Sequence, residues 1–168
     1  YDATMQALRM LHAEEGFALS PKRVTLSTVG IVPALARLAE EELMPNLAIS
    51  LHATTEEMRT RLVPPNRKYP LRDILEVCRH FPVRHRGRIT FEYVLLDGVN
   101  DTPEDAKRLV KLLDGIRAKV NLIPLNPTAG FAGAPTGQAA AKEFQSILSG
   151  YGLPSTIRQR RGIDIAAG

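Results

Sequence analysis

One segment in the first half of the chain, residues 46–55 with the sequence NLAISLHATT, limits the fold more than any other. Its apolar residues fall on one side of an extended strand, at Leu47, Ile49 and Leu51. Small or polar residues fall on the other side, at Ala48, Ser50 and His52. This pattern predicts a parallel strand with helices packed on its apolar side and a polar group held at its carboxyl end.

The same plan recurs along the chain, because short extended segments alternate with helical ones. The predicted strands are 23–28, 46–52, 89–95 and 119–125, and residues 155–161 form a last extended piece. The predicted helices are 1–15, 31–43, one beginning after Thr54 or Thr55, 71–81, one from Thr102 to about Gly115, and one from about 138 to 149. Residues 63–69, VPPNRKY, are expected to lack regular structure, since two prolines remove hydrogen-bond donors. Alternation at about 30 residues per unit, without tight hairpin signals, predicts an α/β fold with a parallel sheet and right-handed crossovers.

Two architectures fit this alternation, a flavodoxin-like open sheet and part of a (β/α) barrel. The residues expected to face the interior, Thr25, Ala48, Thr90 and Asn121, are small or polar, which favours the curved sheet of a partial barrel. Four strands cannot close a barrel and would leave two long parallel edges exposed. The chain also begins at Tyr1 without an initiator Met, so we interpret it as a fragment with about four βα units.

Composition narrows the class of protein. With 168 residues, 44% of them hydrophobic, the chain suffices for one globular domain. A single cysteine, Cys78, excludes a disulfide within the chain and any multi-cysteine metal site built from this chain alone; its place on an apolar helix face predicts a core residue. No membrane-spanning run or signal pattern is visible, so a cytoplasmic protein is expected. The net charge of +4 leans only weakly towards nucleic acid.

Polar side chains follow the ends of all four predicted strands. In parallel sheets these carboxyl ends meet on one edge, which is where ligands bind. The residues concerned are Ser27, Thr28, Ser50, Leu51, His52, Asp97, Asn100 and Asn126. Hydroxyls, an imidazole and amides suit a neutral or zwitterionic polar ligand, and neither GxxxxGK[ST] nor GxGxxG occurs to hold a phosphate.

These residues also have purely structural interpretations. Ser27 could cap the next helix, His52 could be a packed histidine, and Asn126 precedes a proline in a common turn pair. No Ser–His–Asp arrangement or metal-binding cluster is visible in the sequence. An internal ion pair is a further expectation for Glu92, with Arg88 or Arg117 as the partner.

Four segments taken together resemble one enzyme family. They are RVTLSTVGIVPAL, LAISLHATTEEMRTRLVPPNRKYPL, FEYVLLDGVND and VNLIPLNP, and they follow the family order from about Tyr1 to Ala167. The chain is similar to the RlmN/Cfr family of radical S-adenosylmethionine (SAM) RNA methyltransferases. The resemblance implies methylation of carbon 2 of an adenine in 23S rRNA and in some tRNAs; a sibling group methylates carbon 8 of the same rRNA nucleotide.

The resemblance implies a partly open (β/α) barrel of radical SAM type and two cofactors. Contacts to S-adenosyl-L-methionine would fall on Ser27, Ser50, Leu51, His52 and Asn126, and the backbone of residues 50–52 is expected to matter as much as the side chains. A [4Fe–4S] cluster is implied for the full-length protein, with its ligands outside this chain. The implied partners are 23S rRNA and, as a further candidate, tRNA, with no membrane and a monomeric full-length protein.

The chain also departs from the family pattern. The CxxxCxxC motif that holds the cluster, the Gly-Glu-Pro element and both catalytic cysteines are absent, and Cys78 matches neither cysteine. The tail STIRQRRGIDIAA resembles the segment that leads to the methyl-carrying cysteine. We therefore expect residues 1–168 to be the carboxyl-terminal part of a radical SAM core domain. We expect no catalytic residue or metal ligand in this chain and no methyl transfer by the chain alone.

Basic residues indicate where RNA phosphates could bind. The candidates are Arg67, Lys68, Arg158, Arg160 and Arg161, and the last three carry most weight because they lie near the predicted catalytic tail. Two rival interpretations stay open. One is a radical SAM enzyme with a non-RNA substrate, and the other is a degenerate, non-catalytic RNA-binding or scaffold domain that has truly lost the cysteines.

Overall fold

The computed structural model describes residues 1–126 and 133–158, and it contains one sheet of five parallel strands. The strands are β1 (Thr25–Thr28), β2 (Asn46–Ser50), β3 (Ile89–Leu95), β4 (Ala118–Pro124) and β5 (Ser155–Ile157). The α-helices are α1 (Asp2–His12), α2 (Val32–Ala39), α3 (Glu56–Leu62), α4 (Leu71–His80), α5 (Pro103–Leu112) and α6 (Gln138–Gly150). Two 3₁₀ helices, Pro21–Arg23 and Pro64–Arg67, lie in the connections.

The order of the strands in the sheet follows their order in the chain, from β1 to β5, and each neighbouring pair is parallel. A flavodoxin-like sheet would have the order 2-1-3-4-5. Because parallel crossovers are right-handed, a sheet that grows in one direction places its connecting helices on one face. The prediction of an α/β fold of partial-barrel type is therefore confirmed.

The prediction of about four βα units is confirmed, and residues 155–157 of the predicted last extended piece pair with β4 as a fifth strand. The two edge strands are also short, with four residues in β1 and three in β5, so the long exposed edges expected from four strands are not present in the described sheet. Short edge strands offer few unpaired backbone groups to other chains.

One face of the sheet forms the hydrophobic core with the helices. Burial alternates along β3, where Ile89, Phe91, Tyr93 and Leu95 are buried and the residues between them are only partly buried. The helices supply the other half of this core, including Met5, Leu35, Leu38, Leu71, Ile74, Leu75, Leu109 and Phe144. Because successive side chains of a strand point to opposite faces of the sheet, each strand has one side in the core and one side on the opposite face.

The opposite face of the sheet, called here the polar face, carries mainly small and polar side chains. Its members in the register of the strands are Thr25, Ser27, Asn46, Ala48, Ser50, Thr90, Glu92, Val94, Lys119, Asn121, Ile123 and Thr156. The four residues predicted to face the interior, at positions 25, 48, 90 and 121, all lie on this face. These are the residues whose small or polar character favoured a partial barrel over an open sheet.

Local predictions near prolines and at helix ends need correction. Residues Pro64–Arg67 form a 3₁₀ helix, although the segment was expected to be irregular. The two prolines occupy the first positions of this turn, where no backbone donor is needed. Helix α2 ends at Ala39 and not near residue 43, and α1 ends at His12 and not at residue 15.

Cys78 is a buried core residue, as predicted from its place on the apolar side of α4. Burial raises the pKa of the Cys78 thiol to about 12, and Arg79 opposes this shift only in part. The side chain is therefore a neutral thiol at physiological pH and is unsuited to act as a nucleophile or a metal ligand.

Among the helices in the described ranges, none has the length and apolar character needed to span a bilayer.

We predict that Gly30→Ala destabilises the fold more than Gly115→Ala. Both glycines have positive φ, +93° and +75°, so alanine is strained at either position. A Cβ at Gly30 would lie 2.6 Å from Cδ1 of the buried Ile74, whereas nothing lies within 4 Å of a Cβ at Gly115. The free energy of unfolding, measured with urea, should fall by roughly 1–3 kcal/mol more for Gly30→Ala. Equal losses would mean that α4 does not pack against this turn.

Candidate functional site

The carboxyl ends of the parallel strands and the residues that directly follow them are called here the rim. The chain leaves the sheet directly after β2, and this bend at residues 50–52 forms the centre of the rim. The backbone N–H groups of Leu51 and His52 both donate to the carbonyl oxygen of Glu92, at 3.0 and 3.3 Å. His52 has φ of +61°, an unusual value for a residue other than glycine. A strained residue held by its surroundings at a strand end is typical of a functional site.

A buried arginine on α3 supports this bend from behind. The guanidinium of Arg59 donates to the carbonyl oxygens of Val29 (2.7 Å), Ser50 (3.1 Å) and Leu51 (3.2 Å). It also donates to Oδ1 of Asn66 at 2.6 Å. The side chain is fully buried, and it joins the carboxyl ends of β1 and β2 through their backbones.

The acceptor on Asn66 is itself fixed by an acidic residue at the start of α3. Nδ2 of Asn66 donates to Glu56 Oε2 and to Thr60 Oγ1, both at 2.9 Å. The Glu56 carboxylate also accepts from the backbone N–H groups of Leu71 (3.0 Å) and Arg72 (3.1 Å) at the start of α4. Burial alone would raise the pKa of Glu56, but the hydrogen bonds from Asn66, Leu71 and Arg72 outweigh it and the pKa is lowered.

A second amide side chain holds the other side of the bend. Nδ2 of Asn100 donates to the carbonyl oxygens of His52 (2.8 Å) and Val94 (2.7 Å). Its Oδ1 accepts from the Leu96 N–H at 2.8 Å, and its own carbonyl accepts from the Tyr93 hydroxyl at 2.8 Å. Asn100 is buried, so these bonds fix the end of β3 against the end of β2.

The imidazole of His52 lies between these two supports. Its Nδ1 accepts a hydrogen bond from the Val94 N–H at 3.2 Å, so the ring is neutral and any ring proton lies on Nε2. Burial, with a smaller contribution from the charge of Arg59, lowers the pKa of His52 to about 4. At neutral pH this histidine is a fixed polar surface and not a proton carrier.

The remaining predicted cofactor contacts lie on or near this rim. Ser27 is exposed on the polar face beside Ala48, and Ser50 is partly buried beside Glu92. Leu51 is fully buried in the core, so a ligand would meet only its backbone. Asn126 is partly buried and follows the end of β4 by two residues.

Glu92 does not form the predicted ion pair with Arg88 or Arg117. Its Oε2 accepts from Nδ2 of Asn121 at 2.8 Å, and Oδ1 of Asn121 accepts from the Thr156 hydroxyl at 3.3 Å. The register explains the difference, since Glu92 pairs with Asn121 on the polar face while both arginines precede their strands.

The predicted RNA contacts are only partly described. Arg67 and Lys68 are exposed at the end of the second 3₁₀ helix, and Lys68 Nζ lies 5.4 Å from the centre of the Tyr69 ring. Arg158 is exposed after β5, and its N–H donates to the Leu122 carbonyl at 2.8 Å. Arg160 and Arg161 lie outside the described residues.

The donor set at the rim decides which groups it could hold. Within residues 1–126 and 133–158 there is no group of three or more His, Cys, Asp or Glu side chains that could bind a metal ion, and Cys78 is buried as a thiol. These residues therefore do not fit a [4Fe–4S] cluster. Serine hydroxyls, a neutral imidazole, an amide and the carboxylate of Glu92 do fit a polar ligand that carries donors or positive charge, such as S-adenosylmethionine.

Arg59 and Asn66 were missed as functional residues by the sequence analysis. An arginine in a helix is usually exposed, and VPPN was interpreted only as a break. One signal was available, because Arg59 lies four residues before the buried Val63 and therefore on the inward side of α3.

The fold matches that of a solved radical SAM methyltransferase. A solved radical SAM methyltransferase from Sphaerobacter thermophilus superimposes with a TM-score of 0.94 and 45% identity, covering 100% of this chain and 49% of that one. Among curated proteins, the chain is 48% identical over 168 residues to the dual-specificity RNA methyltransferase RlmN 1 of Myxococcus xanthus, covering 100% of this chain and 47% of that protein. It is 50% identical over 169 residues to the probable dual-specificity RNA methyltransferase RlmN 2 of Opitutus terrae, covering 100% and 40%.

No family model matches the chain. The resemblance to RlmN-type radical SAM methyltransferases is nevertheless confirmed along its whole length. The chain spans about half the length of the curated relatives it matches.

We predict that Arg59→Met strongly destabilises the chain, because four buried acceptors would lose a charged donor. The loss in free energy of unfolding should be about 3 kcal/mol or more by urea titration. Arg61→Met, at an exposed position of the same helix, is the matched control and should change stability by less than about 0.5 kcal/mol. Similar losses for the two variants would contradict the assigned role of Arg59.

We predict a loss of stability between about pH 6.5 and pH 4 that depends on His52. The pKa of His52 is about 4 in the fold, below the usual value near 6.5 in the unfolded chain. In this window the unfolded state binds the extra proton, so stability is full above pH 6.5 and falls as the pH falls, by about 2–3 kcal/mol in all. His52→Asn keeps an acceptor and tolerates positive φ but does not titrate, so its urea-unfolding profile should be flatter. Parallel profiles would contradict a buried neutral His52.

Proposed function

We propose that residues 1–168 are the carboxyl-terminal part of the core domain of a radical SAM RNA methyltransferase of RlmN type. The full-length protein would methylate carbon 2 of an adenine in 23S rRNA and in tRNA. The observation that carries this proposal is the match of the entire chain, at 48–50% identity, to proteins named dual-specificity RNA methyltransferases.

In this proposal the rim holds S-adenosyl-L-methionine through Ser27, Ser50, Leu51, His52 and Asn126. Four of these five residues would supply side-chain hydrogen-bonding groups. The buried Leu51 would contribute through its carbonyl oxygen, which keeps a second lone pair beside the hydrogen bond from Arg59. When bound next to an iron–sulfur cluster, this cofactor supplies a methyl group and a source of radical chemistry. The ligands of that [4Fe–4S] cluster belong to the part of the enzyme outside this chain.

The residues of this chain then have positioning roles. Arg59 and Asn100 hold the backbone of residues 50–52 from two sides, which fixes the Ser50 hydroxyl and the His52 ring relative to each other. The core side of the sheet is filled by large apolar residues such as Phe91, so the ligand is confined to the polar face. A rigid scaffold of this kind reduces the entropy that a cofactor loses on binding.

The proposed partners are 23S rRNA and tRNA, which the exposed cations Arg67, Lys68 and Arg158 would meet through phosphate contacts. The tail with Arg160 and Arg161 would add to this contact and lead towards the methyl-carrying cysteine. Because the substrates are cellular RNAs, we place the enzyme in the cytoplasm, as a monomer at full length.

A second candidate is a degenerate RNA-binding or scaffold domain without catalysis. The observation that favours it is the absence of a cluster-binding set in the described part of the chain. Methylation of carbon 8 in place of carbon 2 is a third possibility, since the same rim would serve both reactions.

We predict that the chain alone does not transfer methyl groups, whereas the protein with its natural flanking sequence does. The coding frame on both sides should contain CxxxCxxC and Gly-Glu-Pro upstream and a cysteine just beyond Gly168. Methylation of 23S rRNA and tRNA is then measured anaerobically with reductant, and nucleoside mass spectrometry identifies 2-methyladenosine. Stop codons on both sides without these cysteines would leave the scaffold interpretation, and methyl transfer by the isolated chain would refute the prediction.

A further inference from the structure

Glu92 is the only carboxylate in the described part of the polar face, and it lies beside the proposed cofactor contacts. It is opposite Ser50 in the register of β2 and β3, strands that run about 4.8 Å apart. Its backbone carbonyl accepts from the N–H groups of both Leu51 and His52. The side chain of Glu92 is therefore part of the same rim and points away from the core, where Phe91 and Tyr93 are buried.

The carboxylate of Glu92 is oriented by neutral groups and not by a cation. A chain of hydrogen bonds runs from the Thr156 hydroxyl to Asn121 and from Asn121 to Glu92 Oε2. Two basic residues lie near it on the same face. Lys119 pairs with Thr90, two residues before Glu92, and Arg158 follows Thr156 by two residues. Both are exposed, and neither forms an ion pair with Glu92 among the described residues.

A partly buried carboxylate that forms no ion pair within the described part of the chain is a good site for a cationic ligand. Asn121 fixes the orientation of the carboxylate through Oε2, and no described residue forms a hydrogen bond with Oε1 of Glu92. Reduced solvent access increases the attraction between this charge and a positive centre compared with water. The arrangement would disfavour a phosphate or another anion at the same place.

We propose that Glu92 recognises the positive sulfonium centre of S-adenosylmethionine. This inference rests on the proposed function, because it assumes that the rim holds that cofactor. It adds a residue outside the predicted set of contacts and gives it a specific role, the discrimination between a charged sulfonium and a neutral thioether. The matching neutral ligand is S-adenosylhomocysteine, which keeps the adenosine and the amino-acid group but lacks the methyl group and its charge.

The test compares the affinities of the two ligands for the full-length protein that contains this chain. Binding is measured anaerobically without reductant by titration calorimetry, so that no turnover contributes. Glu92→Gln keeps the shape and the acceptor for Asn121 but removes the charge. It should weaken binding of S-adenosylmethionine roughly tenfold and change binding of S-adenosylhomocysteine less than about twofold.

Two further variants separate a charge effect from a general disturbance of the site. Glu92→Asp keeps the charge and should retain part of the preference for the sulfonium ligand. Glu143→Gln removes an exposed carboxylate from α6 and should leave both affinities unchanged. Thermal unfolding of each variant shows whether it is folded.

The outcomes differ in what they overturn. An equal loss for both ligands in Glu92→Gln would show a shared contact or a structural role and would overturn the proposal. No loss for either ligand would overturn it as well. If the unaltered protein binds neither ligand, the proposed function itself fails. If it binds both ligands and Glu92→Gln leaves the ratio of the two affinities unchanged, the cofactor site stands but Glu92 does not have this role.

Discussion

The geometry of the rim depends on one buried guanidinium. Parallel strands end with carbonyl groups that have no further strand partner, and Arg59 supplies donors for three of them, on Val29, Ser50 and Leu51. Burying a positive charge is costly unless its donors are satisfied. The planar fork of arginine meets four acceptors at once, whereas a lysine ammonium has three donors on a single nitrogen. The four acceptors are neutral, and the Glu56 carboxylate acts on the guanidinium through Asn66, to which both are hydrogen-bonded.

The two asparagines explain why two loop segments matter for the site. Asn66 lies in the VPPN segment and positions the guanidinium of Arg59, while Asn100 lies in the DGVND segment and binds the carbonyl of His52. These are two of the segments that made the sequence resemblance specific. Both asparagines complete polar networks behind residues 50–52. A partly satisfied network would leave buried polar groups unpaired, which makes these positions sensitive to substitution.

The sheet and the rim could be predicted because they follow from local patterns. Alternation in Asn46–Ser50 and Ile89–Leu95 separates a core side from a polar side, and parallel strands bring their carboxyl ends together. The network behind the rim could not be predicted, because the spacing of Arg59 to Val63 indicates only an inward side of α3 and gives neither full burial nor the hydrogen-bond partners. The partner of Glu92 depends on the register of β3 and β4, which sequence periodicity does not determine. A strand as short as Ser155–Ile157 is also too brief for its pairing to be predicted.

The internal hydrogen bonds of residues 50–52 bear on how a ligand could be recognised. The carbonyls of Ser50 and Leu51 are engaged by Arg59, the N–H groups of Leu51 and His52 by Glu92, and the carbonyl of His52 by Asn100. The backbone is thus largely used to build the bend itself. In the proposed site, discrimination between ligands would then fall mainly to the Ser50 hydroxyl, the neutral His52 ring and the Glu92 carboxylate. The positive φ of His52 is part of this bend, because it turns the chain so that these backbone groups meet Arg59, Glu92 and Asn100.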